Sequence, residues 1–289
     1  MSHHLYVRGL LSSSEYHYCT ELSNQLKSAG RVTEVSTLGE FEFSWNAYVQ
    51  QEKREWREEA WSFKDSCVVL LNGQFLGGHS QLFTWAQEKF NHTFDREVKS
   101  YESEARESYL KYLSDVSKKF VYLELASEGA TLGKLVFELD TRLCPKSSKN
   151  FLQLCTGAAG KKGDVTLSFV GSPMHRMLPG GWIQGGDIVD GGGTNSICVF
   201  DGEVFEDESF AVPHDRRGVL GYANKGPHTN GSQFYITFQT AKWMDKNYVA
   251  FGQLVEGTEL LVNLESVATF NQRPKKDIKV SKSGIYSGN

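Results

Sequence analysis

"GVLGYANKGPHTNGSQFYITF", Gly218 to Phe238, decides the fold of the larger half of this chain. Two short apolar runs, Val219–Tyr222 and Phe234–Phe238, flank a stretch rich in Asn, Gly, Pro and Ser, so the segment reads as two strands joined by a long ordered loop. Outward from it the same grammar repeats. "FVYLELA" alternates and pairs with "LGKLVFEL" across a glycine-containing turn, "YVAFGQLV" and "IKVSKSGIY" are further strands, and "GTELLVNLE" is a short helix. Pro145 opens another helix that buries Phe151, Leu154 and Cys155, and Gly157 ends it. Many antiparallel strands with two helices predict a mainly-β closed antiparallel barrel capped by those helices, over residues 119–289.

The first half is a different kind of structure, since all six prolines lie beyond residue 144. "LYVRGLL" is a buried strand. The helix after it starts on a capping box of Ser12 with Glu15, places Cys19, Leu22 and Leu26 on one face, and stops at Gly30. "RVTEVSTL" is a second strand, followed by a helix carrying Trp45, Tyr48, Val49 and Trp56. In "CVVLLNGQFLGG" the Asn72-Gly73 pair signals a hairpin, and a helix runs from Ser80 to Phe90. The order is β-α-β-α-β-β-α over residues 1–93. Residues 94–118 read as a charged helical linker with Tyr101, Tyr109, Tyr112 and Leu113 at helical spacing. Trp45, Trp56 and Trp61 are expected as core or interface aromatics.

Composition limits the function. The 289 residues carry a net charge of −4, which gives no electrostatic reason to expect nucleic acid as a partner. No apolar run approaches the eighteen or so residues of a membrane span, and "MSHHLYVRGLL" reads as neither a secretory signal nor a transit peptide, so the expectation is a cytoplasmic protein. Five dispersed cysteines, never spaced as Cys-x-x-Cys, argue against a disulfide framework and against zinc. His175, His214 and His228 with Cys198 have no ligand spacing, so no metal is expected. "GGDIVDGGGTN" and "GAAGKKGD" match no phosphate-binding loop.

Five separated segments, "FELDTRLCPKSSKNFLQLCTG", "HRMLPGGWIQGGD", "FEDESF", "GVLGYANKGPHTNGSQFYITF" and "VAFGQLVEG", resemble the cyclophilins in order and spacing. The resemblance implies a peptidyl-prolyl cis-trans isomerase that needs no cofactor and acts on proline-containing protein segments. Arg176 takes the place of the catalytic arginine, and Gln184 that of the glutamine that holds substrate backbone or the water around the arginine. Ala223, Asn224 and Gln233 fall in the substrate groove, and Trp243 stands where the family binds cyclosporin. The proline pocket departs from the family: Gly181 and Trp182 replace an aromatic and a methionine, Tyr235 a phenylalanine, Met244 a leucine and Tyr248 a histidine. A weakened isomerase is therefore expected, with a non-catalytic adaptor as the alternative.

Residues 1–93 resemble the thioredoxin/glutaredoxin fold, but the helix N-terminus that would need a thiolate reads Ser12, Ser13 and Ser14, and Ser66-Cys67 stands where a cis-proline is usual. A degenerate, partner-binding domain is expected rather than a redox enzyme. The combination is similar to the subfamily called peptidyl-prolyl isomerase-like protein six. That similarity implies ciliated cells, the axoneme, and ciliary or microtubule-associated partners.

Overall fold

A computed structural model describes residues 3–56, 60, 62–115 and 117–288; Trp61 lies outside them. The chain divides into two compact units, residues 1–112 and 113–289.

In the first unit the elements are β1 (His4–Leu10), α1 (Ser14–Ser28), β2 (Glu34–Glu40), α2 (Glu42–Trp56), β3 (Cys67–Leu71), β4 (Gln74–Gly77) and α3 (His79–Phe90). They form a four-stranded mixed sheet of order β2-β1-β3-β4. β1 and β2 are parallel, which requires a crossover, and α1 supplies it. Asn72 and Gly73, with φ of 52° and 82°, make the left-handed pair that turns β3 into β4. Alternation along the strands gives the sheet two covered faces: Leu5, Val7 and Val69 pack with Cys19, Leu22 and Leu26 of α1 and Leu82 of α3, while Val68 packs with Trp45 and Val49 of α2. The Trp56 ring stacks on Phe75 at 4.8 Å.

The cap of α1 differs from the expected box. Ser13, not Ser12, is the N-cap and accepts from the Glu15 backbone N–H. The Glu15 carboxylate instead accepts from the backbone N–H and the hydroxyl of Ser66, at 2.8 and 2.6 Å, because the sheet brings that residue over the helix start. Over the charged segment α4 spans Glu102–Leu113; Tyr101, just before it, is buried in the first core, and Phe41 meets Tyr109 and Tyr112 edge-on at 5.4 and 4.9 Å. All five cysteines are free and buried, and burial raises the Cys67 thiol pKa well above its ordinary value.

The second unit is built on an eight-stranded sheet of order β16-β5-β6-β13-β11-β12-β10-β9. Its strands are β5 (Lys119–Ser127), β6 (Ala130–Leu139), β9 (Arg176–Leu178), β10 (Trp182–Gly185), β11 (Val219–Tyr222), β12 (Phe234–Thr237), β13 (Ala250–Glu256) and β16 (Ile278–Ile285). Two-residue pairs β7 (Lys161–Lys162) with β8 (Val165–Thr166), and β14 (Thr269–Phe270) with β15 (Arg273–Pro274), lie outside it. Helix α5 (Pro145–Thr156) starts on proline and ends at left-handed Gly157, φ 68°. It seats Phe151 against Phe169, Phe234 and Phe251, and Asn150 donates to Tyr222 Oη at 2.8 Å. Helix α6 (Thr258–Glu265) packs on β6.

The sheet is a curled, open half-barrel and not the closed barrel expected. β9 and β16 are its edges; the chain before β9 meets β16 at the Pro173–Lys279 bridge, where Gly171 and Met174 donate to the Val280 and Ile278 carbonyls and Val280 donates to Ser172. β9 has three residues between Pro173 and Pro179, and neither proline has an N–H to extend a ladder.

Candidate active site

Strand register assembles the site. Arg176 on β9 faces Gln184 on β10, Gln184 faces Tyr235 on β12, and Tyr235 faces Gly221 on β11. Paired residues project to the same side of a sheet, so arginine, carboxamide and phenol form one row across it. Gly221 has to lack a side chain, because a Cβ there would collide with the Tyr235 hydroxyl. Trp182, two residues before Gln184, lies on the same face.

The Arg176 guanidinium is held on two sides. Nε donates to Gln272 Oε1 at 2.7 Å, and the group stands 5.3 Å from the Trp182 ring, within cation–π range. Among the described residues neither Nη has a hydrogen-bond partner. Gln184 is spoken for elsewhere: Nε2 donates to Gln233 Oε1 at 2.8 Å and Oε1 accepts from Trp182 Nε1 at 3.4 Å. Gln233 in turn donates to the Gly193 and Asn195 carbonyls at 3.1 and 2.8 Å. This chain of carboxamides fixes the indole rather than the arginine.

Beside the row lies an apolar floor of buried Tyr235, Ala241 and Met244, against which Trp182, Ala223 and Tyr248 pack. Trp243 is 59% exposed and stands 5.8 Å from Trp182 and 6.3 Å from Tyr248. Gly181 leaves no opening in this wall. Its N–H closes the Leu178–Gly181 turn at 2.9 Å, and an added Cβ would come within 2.9 Å of Leu178 Cδ2. A hollow of about 440 Å³ joins Arg176, Gln184, Ala223, Asn224 and Gln233, while Trp243, Met244 and Tyr248 gather on the aromatic side and Gly181 stays in the turn between β9 and β10. Asn224 Nδ2 donates to the Asn247 carbonyl at 3.2 Å.

Two parts of the site escaped the sequence reading. His214, weighed above only as a metal ligand, is fully buried and links Tyr235 to Asp245: its Nδ1 donates to Asp245 Oδ1 at 2.8 Å, and its Nε2 accepts from the Tyr235 hydroxyl at 2.6 Å. The tautomer follows from the partners, since an ionised Asp245 can only accept. Burial pushes the Tyr235 pKa well above its ordinary value, so this hydroxyl stays protonated and donates. The other part is Gln272, at the tip of the β14–β15 hairpin, where Asn271 and Gln272 adopt φ of 46° and 63°. Asparagine tolerates that region and glutamine does not readily. Gln272→Gly is therefore expected to keep the fold and raise its stability slightly, by about 0.5–1 kcal/mol, the relieved backbone strain less the extra chain entropy that glycine loses on folding. In the same variant the Arg176 Nε–H NMR signal should lose its protection; an unchanged signal would show that the tether is not made in solution.

The family model described as "Cyclophilin type peptidyl-prolyl cis-trans isomerase/CLD" matches residues 121–285. The chain belongs to the cyclophilin family. It is 45% identical over 244 residues to the human "Probable inactive peptidyl-prolyl cis-trans isomerase-like 6", covering 84% of this cyclophilin and 78% of the human protein. The bovine protein of the same name is 41% identical over 281 residues, 96% of this chain and 91% of that one. "Peptidyl-prolyl cis-trans isomerase B" of Saccharomyces cerevisiae is 38% identical over 175 residues, 60% of this chain and 82% of the yeast protein. Among the described residues no helix is long and apolar enough to cross a membrane.

Proposed function

We propose that this cyclophilin is a peptidyl-prolyl isomerase of reduced activity, acting on proline-containing protein segments. The observation that carries the proposal is Arg176: its Nε is tethered, while both Nη groups have no acceptor among the described residues at the edge of an apolar floor. Isomerisation breaks no covalent bond; its barrier of roughly 18–20 kcal/mol is amide resonance. On twisting, the proline nitrogen regains its lone pair, and a guanidinium donor placed there favours the twisted form over either planar one. Arg176 is assigned that role. Gln184 and Gln233 hold the groove wall, Ala223 and Asn224 meet the substrate backbone, and Tyr235, Met244 and Tyr248 floor the proline pocket.

Activity is reduced because the Trp182 indole packs over that floor, where the family keeps a slimmer methionine. The same packing favours a second reading, an adaptor that recognises proline segments without turnover, and the relatives named probably inactive point the same way. In either reading residues 1–93 serve as a thioredoxin-like partner-binding domain, 94–118 as a linker and 119–289 as the proline-binding unit. Cyclosporin binding through exposed Trp243 belongs to both readings. A place in a ciliary assembly belongs to the adaptor.

Exchange NMR on a short alanine-proline peptide separates the two. The isomerase reading expects cis-trans exchange accelerated by the wild-type chain and accelerated further, several-fold, by Trp182→Met. Saturable binding with no acceleration in either protein would leave the adaptor.

A further inference from the structure

Next to Arg176, on the side of the β14–β15 hairpin, lies a second hollow of about 200 Å³. Arg176, Arg273 and His175 line it with the carboxamides of Gln184, Asn271 and Gln272, and no carboxylate does. Burial keeps the His175 pKa below its ordinary value, so the positive charge rests on the two guanidiniums. The hairpin presents one of them. Gln272 O accepts from the Met177 N–H at 2.6 Å, and Arg273 Nη2 donates to the Gly192 carbonyl at 2.7 Å, which anchors the left-handed turn on both sides.

Neighbouring acids are already satisfied. Asp187 accepts from the backbone N–H groups of Val189, Asp190, Gly193 and Asn195, Asp190 from Gly192 and Asn195, and Asp277 pairs with Lys279 at 2.7 Å. A wider hollow of about 750 Å³ shares His175 and Arg273 with the first and is lined further by Lys275, Lys276 and Lys279 and by the carboxylates of Asp187, Asp190 and Asp277. Along the two hollows Arg176, Arg273, Lys275, Lys276 and Lys279 outnumber those three carboxylates, so in a chain of net charge −4 a net positive strip runs away from the arginine of the proposed proline site.

We propose that this strip selects clients carrying an anionic group, a carboxylate or a phosphate, on a residue flanking the proline, and that Arg273 is the residue that determines this specificity. The inference rests on the proline-segment reading of the groove. A planar guanidinium beside a second one, with amide donors around them, matches the geometry of an oxyanion better than that of a neutral side chain.

The test uses the full chain and peptides with one alanine-proline unit, flanked on either side by Glu, phosphoserine or Gln, titrated calorimetrically. The Glu or phosphoserine peptide is expected to bind about five- to tenfold more tightly than its Gln twin, with the advantage shrinking as salt rises. In Arg273→Gln the ratio should fall to about onefold, and Arg273→Lys, which keeps the charge, should restore part of it. Preference for phosphoserine alone identifies phosphate as the ligand; an equal preference for Glu identifies carboxylate. Equal binding of the Gln and acidic peptides by the wild type overturns the inference and leaves the proline reading standing. Binding of none of them removes both.

Discussion

His214→Ala is expected to lower the stability of the cyclophilin unit by about 3 kcal/mol, read as a shift of the urea midpoint. The imidazole is fully buried, so its loss leaves a cavity, and the Tyr235 hydroxyl is left in the core without an acceptor. An orphaned buried hydroxyl costs about 1–3 kcal/mol, and the cavity adds to that. Tyr235→Phe, which removes the hydroxyl but keeps the ring, should lose only about 1 kcal/mol. If Tyr235→Phe cost nothing, the hydrogen bond between these two side chains would not be what holds the floor. Asp245 adds a pH signature. Its carboxylate accepts from the backbone N–H of His214 at 2.9 Å and from the ring, in that order of importance, and both hold its pKa below the ordinary carboxylate value. A depressed pKa means that this stabilisation is complete above the unfolded value, roughly pH 4, and is lost as the pH falls through the folded one. Alanine keeps the backbone donor, so only the ring's share differs between the two proteins: the wild-type advantage over His214→Ala should be largest near neutrality and narrow by that share below about pH 4.

What the sequence revealed and what it hid divide along range of contact. The Asn72-Gly73 hairpin, the helix opened by Pro145 and closed by Gly157, and the order β-α-β-α-β-β-α are written in neighbouring residues, and the structure has them. Arg176 and Gln184 could be put on adjacent strands because eight residues and a Pro-Gly turn separate them. The failures depend on distant partners. Ser13 takes the cap because the Glu15 carboxylate is drawn to Ser66, 51 residues on. How far the chain before β9 pairs with β16, more than a hundred residues later, is likewise set by distant partners: Gly171, Ser172 and Met174 bond to Ile278 and Val280, and the ladder goes no further. Gln272 reaches Arg176 across 96 positions, and no local pattern in the sequence pairs the two. The Tyr235 hydroxyl finds its acceptor in His214, 21 positions earlier, on a segment that no local pattern ties to β12.

Arg176→Ala is expected to remove on the order of 10² from any acceleration of proline exchange, equivalent to about 3 kcal/mol of transition-state stabilisation. Peptide affinity should fall much less, because the planar amide offers the guanidinium no nitrogen lone pair, and the interaction that accelerates the step exists only in the twisted form. Arg176→Lys tests geometry against charge. Lysine keeps the positive charge but has no Nε to rest on Gln272 while two further donors face the substrate, so it should recover a minor part of the rate. No proton is transferred in the step, so the loss should be the same at pH 6 and pH 8. A variant that kept the wild-type exchange rate would remove Arg176 from the reaction. A wild type that bound the peptide without exchanging it, with Arg176→Ala altering affinity alone, would make the guanidinium a recognition group in a groove that Trp182 has closed to catalysis.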